Sequence, residues 1–192
     1  MAAEVRRAVL ATGNAHKADE VGRILGPAWQ LHAADPDVEE TGATFEDNAL
    51  LKARAVAARS GALALADDSG IAIDALDGRP GIHSARWTAE DDWIPRVLRE
   101  LAGAGPGERT ARYVAAAAAV WPDGREVVVV GTVEGRIAEA PRGEAGFGYD
   151  PIFEPLEGDG RTFAEMSADE KHALSHRGRA FRELVARLDQ NA

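Results

Sequence analysis

An α/β or mixed α+β fold is predicted by two features of the chain. Strand-length apolar runs alternate with helical periodicity early on, and strand-like runs predominate later. Length and composition agree: 192 residues, 45% apolar and 28% charged, leave room for one sizeable core and mark an ordinary globular chain. A single domain over residues 1–192, with room for two lobes, is the expectation. No internal repeat is evident.

The elements follow in order. "VRRAVLA" (5–11) is rich in aliphatic and β-branched residues and reads as a strand. "TGN" turns the chain into "AHKADEVGRIL", where Ala18, Val21, Ile24 and Leu25 recur at helical spacing. "AWQLHAA" reads as a second strand, and the acidic loop "DPDVEETG" follows it. Thr44 can cap the helix "FEDNALLKARAVAARSG", with Asp47 at its third position and Gly61 at its end. "ALALADD" and "GIAIDAL" read as two strands meeting at Ser69 and Gly70, and "LDGRPG" is turn chemistry. "AEDDWIPRVLRELAG" is helical in its second half, its start limited by Pro95.

The stretch "RYVAAAAAVWPDGREVVVVGTVEGRIAEA" sets two tendencies against each other. Its five alanines favour helix by intrinsic propensity, while both flanks favour strand. The flanks decide for a hairpin turning at Pro122, Asp123 and Gly124. Last, "SADEKHALSHRGRAFRELVARLD" opens with a capping box, Ser167 and Glu170, and keeps helical periodicity to Leu188. A break at Ser175–Arg177 and Gly178 divides it into a short helix and a terminal one.

Composition also excludes several functions. With 22 basic against 32 acidic residues the net charge is −10, which disfavours nonspecific attachment to nucleic acid or an anionic membrane, so any phosphate must be held locally. No run approaches the ~18 apolar residues of a membrane span, and "MAAEVRRAVLATGN" turns polar too soon for a secretory signal; a cytoplasmic protein is expected. Without cysteine there is no disulfide, thiolate metal site or cysteine nucleophile, which leaves carboxylates and histidines as metal ligands.

Four stretches could carry chemistry. "TGNAHK", from Thr12 to Lys17, lies where a strand hands over to a helix. Free amides and the positive end of the helix dipole attract anions there, Gly13 permits close approach, and Asn14 and Lys17 share one helical face. It matches neither the Walker nor the dinucleotide glycine spacing, and taken alone it is also what an ordinary turn with a solvated lysine would give. "EETG" (39–42) and "DDSG" (67–70) place acids on separate segments, as Mg²⁺ requires when it binds through one or two carboxylates, waters and phosphate oxygens. Asp67 follows the apolar "ALALA", so at least one of the paired aspartates is desolvated and needs a cationic partner, a metal or a lysine such as Lys52.

"GFGYDPIF" (146–153) alternates glycine with aromatics before Asp150 and Pro151, which suits either a rigid loop offering a ring face for stacking or a tight turn with core aromatics. "SHRGR" brings His176 and Arg177, with Lys171 upstream. His172 and His176 are four apart but lack the glutamate motif of a zinc helix, so zinc is rejected, and Arg177 is a donor fork for an oxo group or phosphate.

In order, "LATGNAHK", "EETGATFEDNALLKA", "ADDSGIAIDAL", "GRPGIHSARW", "GFGYDPIF" and "EKHALSHRGRA" closely resemble the inosine triphosphate pyrophosphatase family, from about Val9 to Arg179. The resemblance implies an elongated, two-lobed mixed-sheet α/β fold with a central nucleotide-binding cleft, and a homodimer. It implies Mg²⁺-dependent hydrolysis of ITP, dITP and XTP to the monophosphate and pyrophosphate. Position by position, Thr12, Gly13, Asn14 and Lys17 resemble the triphosphate loop. Glu40 and Asp68 look like metal ligands, Asp68 also like the acceptor of the water's proton, and Lys52 and Ser69 like residues around the phosphates. Phe147, Gly148, Tyr149, Asp150, Lys171, His176 and Arg177 look like the nucleotide and base pocket. Ala145 stands where many relatives carry glycine, and Trp87 where others often carry tyrosine.

Within that resemblance Arg177 and loop amides are expected to donate to the 6-oxo group of hypoxanthine and xanthine; adenine, a donor there, would leave buried groups unpaired. Asp67 could ligate a metal directly or through water. Two other readings of the same motifs are a Maf-like pyrimidine or modified-nucleotide pyrophosphatase and a non-catalytic nucleotide sensor. The "GFGYDP" and "SHRG" pair argues against the first, and Glu40, Lys52 and Asp68 against the second.

Overall fold

The computed structural model describes residues 5–89 and 92–190. Six strands form one sheet in the order β2-β1-β3-β4-β5-β6. They are β1 (Arg6–Ala11), β2 (Trp29–Ala34), β3 (Ala64–Ile73), β4 (Thr110–Val120), β5 (Glu126–Ile137) and β6 (Phe153–Pro155). The helices are α1 (Ala15–Leu25), α2 (Phe45–Ser60), α3 (Trp93–Glu100), α4 (Ala168–Leu174) and α5 (His176–Gln190). β1 runs parallel to β2 and β3, while β5 and β6 are antiparallel, so the sheet is mixed as expected.

Local signals set most boundaries. Asn14 caps α1 by accepting from the Lys17 N–H at 3.1 Å, and Thr44 caps α2 by accepting from the Asp47 N–H at 3.1 Å. Gly61 ends α2 in the left-handed region, where a side chain would be strained. Ser167 and Glu170 form the capping box of α4. The break before α5 falls at Ser175; Gly178 lies inside that helix. Glu90 and Asp91, in the stretch read as leading into α3, lie outside the described residues, as do the first four residues of the opening stretch.

One expectation is corrected. "ALALADD" and "GIAIDAL" are a single strand, β3, passing straight through Ser69 and Gly70. Gly70 is needed for packing rather than for a turn: a Cβ there would collide with the Gly81 carbonyl and the Ser84 side chain.

The chain divides into two compact units. The first holds the described residues up to Asp68, with Ala115–Gly131 and those from Arg177 onward; the second holds those of Ser69–Val114 and Thr132–His176. In the first unit alternate residues of each strand face different helices. Ala8, Leu10, Leu65, Ala115, Ala117 and Ala119 pack with Val21 of α1 and Phe181 and Leu184 of α5. Ala11, Ala64, Ala66, Ala116 and Ala118 pack with Ala49, Ala53 and Val56 of α2. The alanine run is therefore strand, because both its faces are covered and small side chains let helix backbones approach. In the second unit Ile71, Ile73, Val97, Leu101, Tyr113, Phe153 and Phe163 form the core.

Candidate active site

The alternation of β3 answers why two aspartates can stand side by side. Successive strand residues point to opposite faces, so Asp67 follows Leu65 toward α1 and α5 and Asp68 follows Ala66 toward α2. Each carboxylate meets its own cation.

On the first face, Lys17 Nζ lies 3.2 Å from Asp67 Oδ2, and the Arg177 guanidinium donates to the same oxygen through Nε and Nη2, each at 3.1 Å. Arg177 also pairs with Glu20 of α1. Arg177 and Asp67 are each only 2% exposed, so the cluster is desolvated. Burial works against the ionised Asp67, but the charges of Lys17, Arg177 and Lys52 outweigh it and hold the carboxyl far below the usual range. Burial, helped by the neighbouring Arg177 and Lys52, lowers the pKa of Lys17 against the pull of Asp67. Asp67 Oδ1 is buried with no hydrogen-bond partner among the described residues.

On the second face, Lys52 Nζ lies 2.8 Å from Asp68 Oδ1 and 3.0 Å from Glu40 Oε1. Burial pulls the Lys52 pKa down, but Asp68, Asp67 and Glu40 raise it above the ordinary lysine value. Asp68 goes the other way from Asp67. Burial raises its pKa and Glu40 adds to that, so Lys52 offsets the shift only in part. A carboxylate so raised is more basic than an ordinary aspartate and better able to take a proton from water.

Between β1 and α1, Thr12 Oγ1 accepts from the Asn14 N–H at 3.1 Å. A Cβ on Gly13 would lie 2.7 Å from Asp35 Oδ2, so the exposed Asp35 side chain would have to move to admit one. The loop carrying Thr12, Gly13, Asn14 and Lys17 thus joins Glu40, Lys52, Asp68 and Arg177 in the first unit.

The remaining expected residues, Ser69, Phe147, Gly148, Tyr149, Asp150, Lys171 and His176, belong to the second unit. Asp150 Oδ2 accepts from the Phe147 N–H at 2.8 Å and meets Lys171 Nζ at 2.7 Å. Lys171 Nζ also stands 5.0 Å from the centre of the Phe147 ring, within cation–π range. His176 stacks on Tyr113 with centroids 4.4 Å apart and planes within 3°. Tyr149 is turned into the core: its hydroxyl donates to the Ser84 carbonyl at 2.9 Å and its ring stacks on Trp93. Gly146 and Gly148 both have positive φ, and a Cβ on Gly146 would strike the Asp150 carboxylate, so this loop closes only with glycine.

A family model described as the Ham1 family matches residues 8–187. The chain belongs to the Ham1 family. A dITP/XTP pyrophosphatase of Symbiobacterium thermophilum is 51% identical over 95% of this chain and 95% of its own length. One from Streptomyces avermitilis is 49% identical over 93% of this chain and 95% of its own. Among solved structures, the Ham1 protein of Staphylococcus aureus superposes with a TM-score of 0.84 at 37% identity, covering 97% of this chain and all of its own.

This Ham1 chain has two buried residues at the site beyond those expected from the sequence. Glu20, three residues after Lys17 on α1, completes the Arg177 cluster. Asp67, which the sequence offers as a desolvated acid and a direct or water-mediated metal ligand, is instead held by Lys17 and Arg177. Asn48, four residues before Lys52 on α2, donates to Asp68 Oδ2 at 3.3 Å. Only the helical spacing of Asn48 and Lys52 could have drawn attention to it.

The donor set suits a hard divalent cation. Among the described residues no three carboxylate or imidazole side chains gather into a cage. Mg²⁺ needs none: one or two carboxylates suffice when waters and substrate phosphates complete its shell. Glu40 and Asp68, drawn together on one ammonium, are two carboxylates from separate segments of the kind such a site uses. Asp67 projects from the other face of β3 and is held by Lys17 and Arg177.

Proposed function

We propose that this protein hydrolyses the α–β phosphoanhydride of non-canonical purine nucleoside triphosphates, dITP, XTP and ITP, to the monophosphate and pyrophosphate. It would act with Mg²⁺, in the cytoplasm and as a homodimer, clearing these nucleotides from the pool. Relatives about half identical over nearly their full length bear the name dITP/XTP pyrophosphatase. The observation on this chain that carries the reading is the pairing of buried Lys52 with both buried Asp68 and half-buried Glu40, beside a glycine-bearing β1-α1 loop followed by Lys17 in the first turn of α1.

In this reading Thr12, Gly13, Asn14 and Lys17 receive the triphosphate through loop amides and the Lys17 ammonium, whose pKa is lowered first by burial and then by the neighbouring Arg177 and Lys52. Glu40 and Asp68 would hold Mg²⁺, which when bound neutralises charge on phosphate oxygens and acidifies water. Asp68 orients the attacking water and accepts its proton, and Lys52 holds Asp68 in place and faces the phosphates with Ser69. Phe147 offers a stacking face, and Gly148, Asp150, Lys171 and His176 shape the base pocket. Tyr149 supports that loop from the core. Arg177, expected on the 6-oxo group, pairs with Asp67 and Glu20, which supports a role in fixing the floor of the phosphate site.

Pyrophosphate release with ITP, dITP, XTP, GTP and ATP tests the reading. Release with the first three and near silence with ATP is expected; equal rates on ATP and ITP refute it. Asp68→Asn should bind nucleotide yet turn over at least ~100-fold more slowly.

A further inference from the structure

We propose that Asn48 is a positioning residue that couples the acidic loop bearing Glu40 to Asp68, fixing where the proton acceptor stands relative to that loop. The inference rests on Asp68 having the role given above. Asn48 is wholly buried on α2, one turn before Lys52. Its amide orientation is determined by its neighbours. Oδ1 accepts from the main-chain N–H of Gly42 at 2.8 Å, and since an N–H can only donate, the oxygen must face it. The NH₂ group is then left facing Asp68 Oδ2, 3.3 Å away.

One amide therefore ties two segments that carry carboxylates: the "EETG" loop, two residues after Glu40, and β3 at Asp68. Lys52 ties the same two through charge. Lys52 supplies attraction along a flexible stem, whereas Asn48 supplies direction, because it has few torsions and both ends are used. Gly42 fits the device: a Cβ there would lie 2.6 Å from Asn48 Oδ1 and 2.6 Å from Asp47 Cβ, so no other residue leaves the amide in place. A core asparagine that merely filled space would not need a glycine on one side and a carboxylate on the other.

Asn48→Asp separates direction from volume. It is isosteric and still accepts from Gly42, but it replaces the donor facing Asp68 with a second acid. It should lower kcat on ITP at least ~10-fold, leaving KM within about threefold, while the Gly42 amide stays protected from hydrogen exchange. Asn48→Ala should lower kcat similarly and also release that protection. Gly42→Ala, in a partly exposed loop, should cost kcat by displacing the amide while leaving every carboxylate side chain chemically unchanged.

Wild-type kcat in Asn48→Asp, or in Gly42→Ala, overturns the proposal. So does a loss confined to KM. If the wild-type protein releases no pyrophosphate from ITP, the proposed function fails first. Exchange at the Gly42 amide then still reads the coupling: unchanged protection in Asn48→Ala shows that the tie does not exist.

Discussion

Replacing Arg177 by methionine separates a structural floor from a base reader. The guanidinium is 2% exposed and holds two buried acids, Asp67 through two donors at 3.1 Å and Glu20 through a third. Methionine matches much of the length but carries no charge, so Glu20 loses its guanidinium and Asp67 keeps, among the described residues, Lys17 as its direct cationic partner. Removing one partner from such a buried pair typically costs ~3–5 kcal/mol. For a chain of this length that corresponds to a fall in Tm of about 6–20 °C, measurable by calorimetry or by circular dichroism on heating.

The pH dependence has a definite sign. The folded-state pKa of Asp67 is depressed, against the effect of burial, by Lys17, Arg177 and Lys52. Its contribution to stability is therefore present above the unfolded carboxylate value of about 4 and is lost as pH falls toward the folded value. Without Arg177 part of that depression disappears, so the stability gap between wild type and variant should be widest near neutrality and narrow below about pH 4. A variant that melts within ~2 °C of wild type at pH 7, but shows a raised KM for ITP, would refute the structural assignment and return Arg177 to the base pocket.

Three further outcomes follow. Asp68 is raised chiefly by burial, so in the metal-free protein its carboxyl should titrate above the ordinary ~4 when followed by NMR; titration at or below ~4 contradicts the basicity assigned to it. Removal of divalent ions with EDTA should abolish pyrophosphate release and Mg²⁺ restore it, with the circular dichroism spectrum unchanged, since no metal cage among the described residues supports the fold. Ala117→Leu, on a strand residue buried under α1 and α5, should destabilise the first unit by ~1–3 kcal/mol in urea unfolding; an unchanged midpoint would show that the face is loosely packed.

Features that depend on neighbours a few residues away were legible without coordinates. Thr44 and Ser167 cap helices whose first turns stand three residues downstream, and Gly61 ends one by its own φ. The hairpin at Pro122–Gly124 was carried by the β-branched flank of the alanine run. The run of valines after the turn left no helical alternative, so strand won over the propensity of alanine. β3 was misjudged because Ser69 and Gly70 look like a turn. The reason Gly70 lacks a side chain lies across the chain, at Gly81 and Ser84.

The acids, lysines and glycines of the site, and the stretches that bear them, were set by the sequence alone, because each must be present for any of the chemistry to occur. Which acid meets which cation was decided only by the tertiary structure. Arg177 reaches Asp67 and Glu20, and Lys52 reaches Glu40 and Asp68, across chain separations that no local pattern encodes. The physical reason is the pleat of β3. It turns neighbouring carboxylates to opposite faces, and the helices packed on those faces determine that Asp67 is held strongly ionised while Asp68 is made basic.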